Sequence, residues 1–452
     1  MTGPATPGAR DPVVVTGAAV LSPLAEDLPA LTTALLAGRS AVTLPPSPAG
    51  AVDVDEQPLP AALLTEFHLD RWAERHLPDD PGTATRLRRV TGRAALPART
   101  AACVALLATR DAGLPLAPAP DARDERTGVL VAGSNLALAH QAATVLDHRD
   151  TPSRLRASYA LTHLDVDAVA AVSELTGITG EGWAVGGASA SGTIALIQAA
   201  RMVAADWVDR VLVVAPAAEL SPAEEEAFRR TGALAYQRFR DAPERMCRPF
   251  DRDRDGFVRG QAAAAVVLER PEAAAARGAV ALAEVAGYGQ RLDARRGTEP
   301  DAHGQEAAMR AALACAGVTP DDVDYVNAHA TGSVRGDLTE ATALRRVFGD
   351  RGTPLVNSTK PLTGHCLSAA GLVEAIAVIL QMRAGALHPN PNLDHPVEPL
   401  LGLVGATAVH RPLRTALSNS FAFGGVNASV VLRLPGDDVP TGRHRPVAAD
   451  AG

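Results

Sequence analysis

The sequence predicts an α/β protein assembled from two successive rounds of strands and helices, and three observations carry that prediction. Short apolar runs of strand length alternate with longer stretches of helical character, the pattern of a parallel or mixed sheet with helices on its faces. The apolar runs are continuous instead of alternating, as expected of strands buried on both sides. After "PEAAAARG" the pattern starts again, so two similar halves meet near residue 275 of the 452.

In the first round, "PVVVTG" (12–17), "GVLVAGS" (128–134), "VLVVAP" (211–216) and "AAAAVVLER" (262–270) read as buried strands. Between them, 27–38, 99–113 and 192–207 read as helices. The second round runs from strand "VALAEVAGYG" (280–289) through helix 304–317 to strand "VDYVNAHATG" (323–332), then helix 369–385 and strand "ASVVLRL" (428–434). The predicted halves are therefore 12–275 and 276–434. The ends, 1–11 and 435–452, are rich in Pro, Gly and charge and read as unstructured tails.

Composition narrows the function. A net charge of -8 argues against nucleic acid and against a polybasic membrane contact. We read no apolar run of the roughly 18–20 residues that span a bilayer, and "MTGPATPGARDP" lacks the apolar core of a secretory signal. The four cysteines are widely separated with no CxxC pair, and are read as reduced thiols of a cytoplasmic protein.

Four stretches carry residues that chemistry uses. In "WAVGGASASGTIALIQAA" (183–200) a strand-like run and Gly186-Gly187 deliver Ser189 to a helix N-terminus, where free N–H groups favour negative charge. Ser189 and Ser191 serve equally well there as helix caps. In "VNAHATGSVRGDLTEATAL", His329 follows a strand, with Asp337 and Glu340 placed in the first turn of the next helix. A histidine at a strand exit suits acid–base work, or is a solvated loop residue. In "VNSTKPLTGHCLSAAG", Lys360 and His365 flank a turn before a buried helix. In "NSFAFGGVNASVVL", Phe421 and Phe423 precede Gly424-Gly425 on a glycine loop, as a lid or pocket wall in a chain poor in aromatics.

Other motifs fail. "GGASASG" is not the G-x-S-x-G of a nucleophile elbow. "DRDRDGFV" has Asp251, Asp253, Asp255 and Gly256 at calcium-loop positions, but the twelfth position is Ala262 and a strand follows. No phosphate-binding G-x-x-x-x-G-K-S/T occurs, and two histidines lack a third zinc ligand, so neither cofactor nor metal is expected.

Together these stretches resemble the β-ketoacyl synthases of the elongating type, members of the thiolase superfamily. The match includes "VVVTGAAVLSPLAEDLPALTTALLAGRSAV", "RPFDRDRDGFVRG", both histidine motifs and "LSNSFAFGGVNASVVL", over about residues 12 to 434. It implies a five-layered α/β/α/β/α sandwich, usually dimeric, as a homodimer or a heterodimer with another ketosynthase. The expected partners are acyl and malonyl thioesters of an acyl carrier protein. The resemblance places the nucleophile on Ser189, where the family has cysteine, and the catalytic histidines and lysine on His329, His365 and Lys360. Glu340 matches an acidic residue near the first histidine, and Phe423 a gating phenylalanine.

Serine for cysteine matters chemically. A thiol ionises near pH 8.5 and more easily at a helix N-terminus, whereas a hydroxyl needs a positioned base. Condensation should suffer, while malonyl decarboxylation needs no nucleophile. "HATG", "RGQAAAA" and "TGAAV" also depart from the family pattern. Three functions stay open: an active acyltransferase or malonyl decarboxylase, a non-catalytic subunit of the chain-length-factor kind, and a serine introduced to trap an acyl complex.

Overall fold

The computed structural model describes residues 12–45, 59–116, 123–349, 354–398 and 401–436. The predicted N-terminal tail, and all but the first two residues of the C-terminal one, lie outside the described residues.

The first round supplies strands β1 (Val14–Leu21), β2 (Thr127–Ala132), β3 (Gly182–Val185), β4 (Arg210–Ala215) and β5 (Ala263–Glu269). The second supplies β6 (Ala283–Leu292), β7 (Tyr325–Asn327), β8 (Leu355–Asn357), the short edge strand β9 (Gly402–Leu403), β10 (Thr415–Ala422) and β11 (Val426–Arg433). Their spatial order is β9-β8-β7-β10-β11-β6-β1-β5-β4-β2-β3. Leaving out β9, each round runs third, second, fourth, fifth, first. In each, the first two pairings are parallel and the last two antiparallel. The repeated order is the structural form of the sequence duplication. The rounds join where Val14 and Val15 of β1 pair with Glu284 and Ala283 of β6.

Helices α1 (Leu96–Asp111) and α2 (Val166–Thr176) cover one outer face, and α3 (Ser191–Ala204) lies in the centre. Helices α4 (Ala302–Ala316) and α5 (Val334–Phe348) cover the other outer face, and α6 (Ala370–Ala384) lies beside α3. Strand side chains alternate between cores: Leu130, Val213 and Val266 join the central cluster with α3 and α6, whereas Val129, Leu212 and Val267 join the outer cluster with α1 and α2. In the second round Ala416 and Val430 face the central cluster, and Leu417 and Val431 face that of α4 and α5. Three apolar cores between five layers follow from burial on both strand faces.

Two expectations need correction. The stretch Leu367–Ala384 is long and apolar enough to cross a membrane, with mean hydropathy 1.5, but 78% of it is buried inside the protein as the central α6 layer. And "NSFAF" is not a loop: β10 extends through Ala422, so Phe421 is a strand residue and only Phe423 stands on the turn. The strand escapes its apolar signature because Ser418, Asn419 and Ser420 are fully buried in it.

Candidate active site

The central helices α3 and α6 touch backbone to backbone near their N-termini. A Cβ on Gly192 would lie 2.6 Å from the amide nitrogen of Leu372, and Gly371 packs as tightly against Thr193. Only glycine permits this approach, and it brings the chain entering each helix to one point. Each entry is a short 3-10 turn, Ala188–Ala190 in one round and Leu367–Ala369 in the other. Each turn opens on a non-glycine residue in the left-handed region, Ala188 at φ 47° and Leu367 at φ 52°. Local strain of this kind is sustained only by surrounding structure and clusters at functional sites.

Ser189 sits in the first turn, half-buried, with its Oγ 2.9 Å from Nε2 of His365. It does not cap α3, which has no side-chain cap; Ser191 Oγ instead donates to the carbonyl of Ala188. His329 follows β7, and its ring lies edge-on to His365 with centroids 5.5 Å apart. Burial, with the Lys360 cation as the second cause, holds both histidines well below the ordinary imidazole range. Both rings are therefore neutral near pH 7, each able to donate one N–H, and Nδ1 of each has no partner among the described residues.

Lys360 is fully buried and does not reach the cavity surface. Its Nζ pairs with Oε1 of Glu374 at 2.6 Å, and Asn327 donates to the other carboxylate oxygen. Its effect on the histidines is through its charge. Glu340 lies one turn further into α5 than predicted; it accepts from the backbone N–H of His329 and Ala330 and from Nδ2 of Asn419. Burial pushes its carboxyl up to about 7 in spite of those donors. Asp337, on the wall of the same cavity, gathers the backbone N–H groups of Phe250, Thr331 and Gly332, with burial lifting it to about 6. It holds the turn that follows His329. Asp251 and Asp255, the rejected calcium-loop residues, are likewise occupied by backbone N–H groups.

Ser189, His329 and His365 open onto a cavity of about 680 Å³, walled also by Phe228, Phe257, Phe421 and Phe423. Gly424 and Gly425, at φ 81° and 71°, make the turn between β10 and β11 that presents Phe423, whose ring lies 6.2 Å from Phe228. The structure thus brings together Ser189, both histidines and both phenylalanines, with Lys360 and Glu340 directly behind. Glu374 and Phe257 were missed. Glu374 is the sole charge in the apolar part of "AAGLVEAIAVILQ", and an unpaired acid in a buried helix signals a hidden cation.

Comparison with known proteins shows what the whole chain is similar to. Residues 10–274 match the family model of the β-ketoacyl synthase N-terminal domain, and 282–394 that of the C-terminal domain. The chain is 35% identical to the polyketide biosynthesis malonyl-ACP decarboxylase PksF of Bacillus subtilis, covering 93% of this chain and 96% of that one. It is 35% identical to 3-oxoacyl-[acyl-carrier-protein] synthase 2 of Rhizobium meliloti, covering 93% and 98%. Among solved structures, the ishigamide ketosynthase/chain length factor superposes with a TM-score of 0.81 at 29% identity, over 95% of this chain and 100% of that one.

Proposed function

The chain belongs to the β-ketoacyl synthase family of fatty-acid and polyketide biosynthesis, and we propose that within it this protein decarboxylates a malonyl thioester held by an acyl carrier protein, with acyl transfer through Ser189 a slower second activity. The observation that carries this is the pair of neutral histidines, His365 buried and His329 partly so, facing a hydroxyl where the family resemblance expects a thiol.

The malonyl group enters the cavity with its thioester carbonyl within reach of the His329 and His365 N–H donors. The bond between Cα and the carboxylate carbon breaks, carbon dioxide leaves, and the electron pair passes through Cα to the carbonyl oxygen. The histidines stabilise the resulting enolate because their N–H groups are fixed in a largely desolvated site. A proton from water or an adjacent acid then returns to Cα and gives the acetyl thioester. Burial lets the rings stay neutral, so they donate hydrogen bonds without protonating the nascent carbanion first.

Ser189 is not needed for these steps. Its hydroxyl is far less acidic than a thiol, and His365 lacks the acidic partner on Nδ1 that would make it a strong base. A non-catalytic subunit would have no use for two neutral histidines around one cavity, which weighs against the chain-length-factor alternative.

The assembly is proposed as a homodimer or a heterodimer with another ketosynthase, acting in the cytoplasm. Helix Leu138–His148 buries none of its residues, Val145, Leu146, Leu161 and Leu164 stand exposed, and β3, which carries the exposed Trp183, is an edge of the sheet. Exposed apolar side chains and an open sheet edge suit a second subunit. The test is to incubate purified protein with malonyl-loaded carrier protein and follow carbon dioxide and the acetyl-carrier mass. Ser189→Ala should keep at least roughly a tenth of the rate, whereas His329→Ala or His365→Ala should lose about 100-fold, the usual cost of one oxyanion donor. No carbon dioxide from the wild type, or its loss on Ser189→Ala, sinks the proposal.

A further inference from the structure

The segment Gly256–Gly260, in the motif "RPFDRDRDGFVRG", is hydrogen-bonded to both histidine turns at once. At one end the N–H of Gly256 donates to the carbonyl of Gly332, three residues after His329, at 3.0 Å. At the other, the N–H of His365 donates to the carbonyl of Val258 at 2.7 Å, and the N–H of Gly260 donates to the carbonyl of His365 at 2.9 Å. His365 is thus held on both its backbone groups by one strand-like neighbour. Between these anchors the Phe257 ring meets the His365 ring edge-on, with centroids 5.3 Å apart and planes at 86°. Phe228 backs Phe257 in the same edge-on manner at 5.6 Å.

The contacts leave no slack. A Cβ on Gly256, which lies at φ 146°, would stand 2.5 Å from the amide nitrogen of Ala235, and one on Gly260 would strike the carbonyl of Thr363. The segment is itself pinned from behind. Asp255 collects the N–H groups of Tyr236, Gln237 and Arg238, and Arg254 donates to the carbonyls of Ser333 and Val334 beyond the first histidine turn.

We infer that Gly256–Gly260 is a clamp that fixes the separation and mutual angle of the His329 and His365 rings, with Phe257 as its positioning residue. The two histidines come from different strands of the second round, and no hydrogen bond is recorded directly between them; the clamp, which comes from the first round, is hydrogen-bonded to both turns. Phe257 meets the His365 ring edge-on on the cavity wall, so it acts on the reaction through that ring. Its kinetic consequence rests on the decarboxylase proposal, but its structural consequence does not.

The test uses the full-length protein with Phe257→Leu and Phe257→Met, which keep apolar bulk without the ring, and Phe257→Tyr, which restores it. Two quantities are read. The first is malonyl-carrier decarboxylation, where a ring displaced by about 1 Å should lower kcat by roughly 10- to 100-fold with little change in KM. The second is hydrogen–deuterium exchange at each histidine Cε1 against pH, by mass spectrometry. The charged groups around the His365 ring are Lys360, His329 if protonated, Glu224, Asp337 and Glu340 on the wall of the same cavity, and the pair that Arg259 of the clamp makes with Glu225. None of them changes in these variants. The Leu and Met variants should speed His365 exchange and move its midpoint up toward the ordinary imidazole value, leave buried His388 unchanged, and regain wild-type behaviour in Phe257→Tyr. Unchanged His365 exchange in both apolar variants overturns the clamp, as does a loss carried wholly by KM. A wild type that releases no carbon dioxide overturns the decarboxylase proposal alone, because the exchange measurement still reads the clamp.

Discussion

Lys360 and Glu374 form a salt bridge with side chains only 0% and 3% exposed, and removing one partner has a calculable consequence. In Lys360→Met, Glu374 is left as a buried carboxylate with only Asn327 to satisfy it. Breaking such a pair from one side costs about 3–5 kcal/mol. The protein escapes the full charge penalty by protonating Glu374, and that escape depends on pH. From an ordinary carboxyl value of 4.5, protonation costs about 4 kcal/mol at about pH 7.5 and about 1.4 kcal/mol at about pH 5.5. The sign follows: the folded variant holds a proton that the unfolded chain has lost, so its stability falls as pH rises above 4.5. Burial already raises Glu374 in the wild type, so these costs are upper bounds on the difference. With about 2.1 cal/mol/K of unfolding entropy per residue over 452 residues, the Tm should drop by up to about 4 °C relative to wild type at the higher pH and up to about 1.5 °C at the lower. Adding Glu374→Gln removes the ionisable group and should erase the pH dependence of the deficit. Scanning calorimetry of wild type, Lys360→Met and the double variant at both pH values decides it. An equal deficit at both, or no recovery in the double variant, refutes the idea that the cation exists to hold that carboxylate.

The same linkage applies to Glu340, whose carboxyl is pushed up to about 7, so that Glu340→Gln should remove a stability loss of up to about 3 kcal/mol between pH 4.5 and 7, seen as a flatter Tm-against-pH curve than wild type. His388, pulled down to about 4 by burial, works the other way below 6.5 and cancels in that comparison. Gly192→Ala should destabilise by about 1–3 kcal/mol because its Cβ meets the backbone of α6, although alanine is the better helix former; a rise in Tm would refute the backbone contact.

How much was legible depended on whether a residue's partners were local. Continuous apolar strands and the helices between them announce two rounds, because burial on both faces leaves no alternation to hide them. Strand β10 was hidden for the opposite reason: Ser418, Asn419 and Ser420 are satisfied inside the core by Asn327, Glu340, Ser429 and Thr193. Hydropathy cannot see a polar strand whose partners lie on other elements of the fold. Ser189, His329 and His365 were found because each stands at a glycine- or proline-marked turn before a helix. Their meeting was expected only from the family resemblance and not from the local pattern, since it depends on Gly192 and Gly371 letting two helices touch. The role of Phe257 was hidden in a motif that was read as a failed calcium loop and as a mark of the family, with no role assigned to its phenylalanine.

The duplicated fold explains why the site is lopsided. Both rounds enter their central helix through a 3-10 turn opened by a left-handed residue, and the middle residue of each turn is a serine, Ser189 in one and Ser368 in the other. Both hydroxyls line the same cavity, and that of Ser368 has no hydrogen-bond partner among the described residues. The turns alone are therefore nearly equivalent. What breaks the equivalence is the second round's His365 just before its turn, His329 from the neighbouring strand, and the burial that, helped by the Lys360 charge, keeps both rings neutral. The chemistry then belongs to the second round's imidazoles, while the first round contributes a hydroxyl and the clamp that aims them. On that division the reactive power of the site survives exchange of Ser189 but not loosening of Gly256–Gly260, which is the ordering of effects that the variants at Ser189 and Phe257 measure.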